Sequence, residues 1–176
     1  MNATQPSVFR RYLPELEQAS LLKTVKEVNT MAAHRDHAWI RVTLAPGMRV
    51  GEAPRLTVGD LRAARETGWL FIPREHRKGK HRDHQVPVTK LVAEAIDALL
   101  ALHGAKVIDA EPAVPSRKHG AGGAGQGLAV RSYQDRMKRW CARTGIEAAS
   151  PHWLRHTRAQ NIKRRSTAVD PLAIVQ

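Results

Sequence analysis

With 176 residues, 42% of them hydrophobic, the chain is long and apolar enough for one globular domain, which excludes wholesale disorder. Its formal net charge of +13 exceeds what solubility needs and points to a polyanionic partner, most simply nucleic acid. The single Cys141 excludes an internal disulfide, no Cys/His spacing suits a metal, and no apolar run reaches transmembrane length.

Residues 1–10 are polar and are expected to form a disordered tail ahead of one domain over residues 11–176. From Pro14 to about Thr30 the positions Leu16, Leu21, Leu22, Val25 and Val28 keep a helical rhythm. A second helix is expected over residues 36–45, carrying Trp39, Ile40, Val42 and Leu44, and Pro46-Gly47 ends it. Leu56 to Leu61 leads into a strand region. Gly68 marks a turn, Trp69 to Ile72 is a short apolar strand, and residues 84–88 form a third. Between the last two lies a basic hairpin tip with Arg74, Arg77, Lys78, Lys80 and Arg82. Its plainest use is contact with backbone phosphates.

Residues 91–103 form the most regular helix, with Leu91, Ala95, Ile96, Leu99, Leu100 and Leu102 facing a core. The glycine-rich run over residues 120–127 follows neither phosphate-loop spacing and is expected to be a surface loop. A helix over residues 130–143 places Tyr133, Met137, Trp140 and Cys141 inside and Arg131, Arg136, Lys138 and Arg139 outside, and Gly145 closes it. The pattern is α+β: mainly helical with one small antiparallel β-sheet. The core is drawn from Leu22, Trp39, Leu44, Leu70, Ile96, Leu99, Met137 and Leu154.

Two stretches carry chemistry. In Ser150-Pro151-His152-Trp153-Leu154-Arg155-His156-Thr157, Ser150 is placed to cap a helix and Pro151 suits its first position. His152 and Arg155 then share a face beside the free N–H groups of the helix start. A guanidinium forks two phosphate oxygens, and an imidazole donates or moves a proton near neutral pH. The second stretch, Gly47-Met48-Arg49-Val50-Gly51-Glu52, adds another arginine, with Glu52 spaced to orient it by an ion pair. On the residues alone this pair reads equally well as a surface ion pair.

Together the strings resemble the boxes G-x-R-x-x-E and H-x-L-R-H-T of the tyrosine recombinases (phage integrase family). Arg11-Tyr12-Leu13-Pro14-Glu15-Leu16-Glu17, Gln85-Val86-Pro87-Val88 and Val114-Pro115-Ser116-Arg117 are similar to further family segments in the same order. Pro46 departs from the usual threonine, and Ala53-Pro54 from a bulky apolar pair. The resemblance implies an integrase-like catalytic domain that breaks and rejoins DNA strands in site-specific recombination and DNA integration, as in mobile elements. It implies catalytic roles for Arg49, His152 and Arg155, support from Glu52, and a leaving-group lysine on the hairpin, Lys78 or alternatively Lys80. Arg74, Arg77, Lys80 and Arg82 are then DNA-binding.

The implied partners are double-stranded DNA and other recombinase protomers, with no cofactor, no metal and no membrane. The implied setting is the bacterial cytoplasm, associated with the nucleoid when DNA is bound. In the family a tyrosine beyond the second box, after an L-G-H motif, attacks the phosphodiester. Residues 169–176 resemble the helix before that motif, and Tyr12 and Tyr133 both precede the second box. The expectation is therefore a domain incomplete at its C-terminal side, without the usual N-terminal DNA clamp, and inactive alone. A non-catalytic DNA-binding module modulating a full-length recombinase is the alternative, and an RNA or ribosomal partner a third reading.

Overall fold

The computed structural model describes residues 12–77, 82–116, 127–146 and 149–166. The expected tail over residues 1–10, both hairpin lysines, most of the glycine-rich run and the helix expected over residues 169–176 lie outside them. The described elements are α1 (Glu15–Lys26), α2 (Met31–Leu44), α3 (Val58–Thr67), β1 (Trp69–Ile72), β2 (His84–Pro87), α4 (Lys90–Leu100), α5 (Val130–Thr144) and α6 (Pro151–Arg165). None of these helices is long and apolar enough to cross a membrane.

Helix α2 is the axis of the fold, packed against α1, α4 and α6. It starts five residues earlier than expected because the Thr30 side chain accepts the Ala33 N–H at 3.2 Å and caps it there. Its buried face carries Ala38, Trp39, Ile40 and Val42. Trp39 meets Tyr133 of α5 edge-on at 4.9 Å between ring centroids. Ile96 and Leu99 of α4, Met137 of α5, Leu70 of β1 and Leu154 of α6 complete the core. Each contributes about 1.5–3 kcal/mol by leaving water. Leu22 and Leu44, expected in that core, are half-buried at its edge.

Two helical apolar positions point elsewhere. Leu16 is exposed. It stands five residues from Leu21, about 140° round the helix from the stripe that meets α2 and α5. Leu91 is also exposed and lines an open cleft among α1, β2, α4 and α6, while α4 ends at Leu100 and not at His103.

The stretch after Leu56 is a helix, not a strand. Thr57 and Asp60 form a reciprocal capping box, at 3.1 Å for Asp60 N–H to Thr57 Oγ1 and 2.9 Å for Thr57 N–H to Asp60 Oδ2. What extended character exists is one isolated bridge, Thr57 to Pro112. The described sheet therefore has two strands, antiparallel, with Trp69 opposite Pro87 and Ile72 opposite His84. Gly68 ends α3 in the left-handed region at φ 77°, which lets the chain turn straight into β1.

A buried carboxylate joins α2 to α5. Asp36 accepts the indole N–H groups of Trp39 (3.0 Å) and Trp140 (2.7 Å) and pairs with Arg136 Nε at 2.6 Å. Arg136, expected on the outside of α5, is therefore turned inward. It shares the 3–4 spacing of Tyr133, Met137 and Trp140, and Asp36 supplies the charge that lets it stay there.

Candidate phosphate-binding site

The site forms where α2 stops. Pro46 interrupts the helix, and Gly47 follows at φ 74°, so the Met48 N–H turns back to the Thr43 carbonyl at 3.0 Å. A β-carbon on Gly47 would lie 3.0 Å from the Arg158 Cγ and 3.2 Å from its Cβ, so the glycine also admits α6 at close range. Arg155 of α6 then donates from Nη1 to the Gly47 carbonyl at 2.8 Å, joining segments 108 residues apart.

Two residues past Gly47, the Arg49 backbone N–H donates to Glu52 Oε2 at 2.8 Å, and its guanidinium lies 3.4 Å from Glu52 Oε1. The ion pair expected from the spacing is present, but its acid is buried. Glu52 is 1% exposed, against 35% for the Arg49 side chain. The same Oε1 is 3.4 Å from Nε of Arg77, which is 9% exposed. Arg77, expected to be DNA-binding, is folded into the neck of the hairpin. Arg74 and Arg82 are exposed, and Lys78 and Lys80 fall outside the described residues.

Sequence reasoning passed over His84. It sits at the start of β2, half-buried, and its Nδ1 is buried with no hydrogen-bond partner among the described residues. Burial, then the nearby Arg77, Arg155 and Arg49 charges, hold its pKa below the ordinary value, with Glu52 opposing them. Burial and then Arg49 likewise lower the pKa of Arg155, which stays protonated at neutral pH. These mutual effects place Arg49, Glu52, Arg77, His84 and Arg155 within one electrostatic neighbourhood. Counting Arg49, Arg77 and Arg155 against Glu52, with His84 neutral, the cluster has cations in excess. The only sequence signal for His84 was its place beside the hairpin.

His152 lies in the first turn of α6, exposed, three residues before Arg155, and its ring packs edge-on against His156 at 4.5 Å. Ser150 holds the N-cap position, but its side chain makes no capping hydrogen bond; only its carbonyl accepts, from the Trp153 N–H at 2.9 Å. Pro151 in the first helical position already removes one free donor there. The two tyrosines make other contacts. Tyr133 is fully buried, its hydroxyl has no hydrogen-bond partner among the described residues, and its pKa is raised by burial. The Tyr12 ring lies under the Arg164 guanidinium, 5.8 Å from its centroid. Among the described residues no group of three His, Cys, Asp or Glu could hold a metal ion.

The family model described as "Phage integrase family" matches residues 11–173. The tyrosine recombinase XerC of Neisseria meningitidis is 27% identical over 163 residues, covering 92% of this chain and 49% of XerC. XerC of Neisseria gonorrhoeae matches to the same extent. The chain thus spans about half the length of the curated relatives it matches. Among solved structures, the XerA recombinase superposes with a TM-score of 0.73 at 20% identity, over 98% of this chain and 56% of that one. The Tn1549 transposon integrase in complex with circular intermediate DNA gives 0.70 at 18% identity, over 98% and 57%. Both have the mainly helical fold with a small antiparallel sheet described above.

Proposed function

Because the chain belongs to the phage integrase family, we propose that it supplies the phosphate-binding part of a centre that breaks and rejoins duplex DNA. The observation that carries this reading is Arg155 on the Gly47 carbonyl, which brings the two arginine-bearing segments together from opposite halves of the chain. Arg49 and Arg155 take the non-bridging oxygens of one phosphodiester and brace the extra negative charge that builds up when it is attacked. Glu52 holds Arg49, and His152 donates a hydrogen bond or proton from the start of α6. Lys78 or Lys80 serves the leaving 5′ oxygen. Arg74 and Arg82 lie along the flanking DNA backbone.

The attacking group of this chemistry is a tyrosine, and neither Tyr12 nor Tyr133 stands at the sequence position, beyond the second box, that the family's attacking tyrosine takes. Assembly with further recombinase protomers on DNA, in a bacterial cytoplasm, belongs to the same reading.

Anisotropy titration of a labelled duplex at several salt concentrations tests the proposal. Binding should be in the micromolar range or weaker and should fall steeply with salt, because each phosphate contact releases counterion. Arg49→Ala and Arg155→Ala should each lower the slope of log K against log salt by about 0.9. Slopes unchanged in both variants would remove the two arginines from the DNA interface. Binding that ignores salt, or no binding at low salt, would remove the nucleic-acid reading itself.

A further inference from the structure

Glu52 serves two arginines with one carboxylate, and its Oε1 stands at equal distance, 3.4 Å, from a nitrogen of each. Arg49 is bound to it twice, by backbone and side chain. Arg77 uses its remaining reach on the hairpin, donating from Nη1 to the Arg82 carbonyl at 2.9 Å and the Asp83 carbonyl at 3.4 Å. The same neck is tied by the Arg74 N–H to Asp83 Oδ1 at 2.8 Å and by Arg55 to the Glu75 carbonyl at 3.0 Å. We propose that Arg77 is a positioning residue of the phosphate site: it neutralises part of Glu52, so that the Arg49 guanidinium stays available to a phosphate. The inference rests on the proposed function of Arg49 and Arg155.

The physical ground is competition for a buried charge. A carboxylate sealed from water attracts cations far more strongly than an exposed one. With Arg77 gone, Arg49 is the cation that remains ion-paired with it among the described residues, and the two planar groups can close into a bidentate pair. The donors spent on that pair are those a phosphate would use. Arg77 itself is folded away from solvent and spends its hydrogen bonds on protein, so its effect reaches DNA through Arg49. Lysine cannot replace it, because one ammonium does not span both Glu52 and the two carbonyls.

A double-mutant cycle on the full chain separates this from a direct DNA contact. Duplex affinity is measured by anisotropy at one low salt concentration for the unaltered chain, Arg77→Ala, Glu52→Gln and the double variant, with folding checked by circular dichroism. Arg77→Ala should weaken binding about tenfold, within the range for coupled neighbours, but only about twofold in the Glu52→Gln background, where no buried charge needs sharing. In the Arg49→Ala background it should again cost little. Arg77→Lys should remain close to Arg77→Ala, and it replaces Arg77→Ala in the cycle if the alanine variant does not fold. Equal losses in all backgrounds, or full recovery with Arg77→Lys, would overturn the inference while leaving the proposed function standing. An unaltered chain that ignores duplex DNA would sink both.

Discussion

Asp36→Ala tests whether a buried carboxylate holds the two halves of this domain together. The side chain is fully buried and accepts from two indoles and one guanidinium, with Arg35 Nε a further 3.6 Å away. Alanine would strand two indole N–H groups and leave Arg136, 13% exposed, without its counter-charge. A buried donor left unmade costs about 1–3 kcal/mol, and a buried charge stripped of its partner about 3–5 kcal/mol. These losses overlap because the groups share one carboxylate, so about 4 kcal/mol is the expected total. For a domain this size that lowers Tm by about 8–16 °C. Urea unfolding followed by tryptophan fluorescence reads the change directly, since Trp39 and Trp140 both contact the deleted group. A loss below about 1 kcal/mol would refute the reasoning, because the polar centre would then contribute no more than an average surface group. Replacing the pair by apolar residues, Asp36→Leu with Arg136→Met, should recover part of the loss.

Gly47→Ala should destabilise the fold by about 1–3 kcal/mol in a urea melt, since alanine resists φ 74° and its β-carbon would press on the Arg158 stem. It should also weaken duplex binding, because the Gly47 carbonyl holds Arg155. Thr157→Val should cost about 1–2 kcal/mol by the same measurement: its buried hydroxyl accepts the Leu13 N–H at 2.8 Å and donates to the Trp153 carbonyl at 2.7 Å. For pH, His37 and His84 are both held below the ordinary histidine value, by burial first, then by Arg41 and Arg77 respectively. The unfolded chain therefore takes up protons near pH 6.5 that the folded chain refuses. The resulting stability is present above about pH 6.5 and is lost as pH falls below it. Tm should drop between about pH 7.5 and 5.5, and the double variant His37→Gln with His84→Gln should flatten that drop.

Local signals in the sequence decided the elements. Apolar spacing marked α1, α2, α4 and α5, and Trp69 to Ile72 was readable as a strand from its run of β-formers. Gly145 closed α5 where expected, and Gly68 turned the chain where a turn was expected, because a left-handed residue is a demand on one position. The two box strings were legible for the same reason: Arg49 with Glu52 and His152 with Arg155 are each neighbours along a few residues of chain.

Where apolar spacing misled, the missing information was tertiary. Leu16 and Leu91 lie on helices, but among the described residues no other element comes to cover them. Leu56 to Leu61 is the exception: Thr57 and Asp60, three residues apart, are a local signal for the helix start that the chain makes there. Arg77 and Arg136 look like surface cations in any list of residues. Each is turned inward and half-buried because one distant acid, Glu52 or Asp36, meets it there, and a charge enters a protein interior only when its counter-charge arrives from elsewhere in the fold.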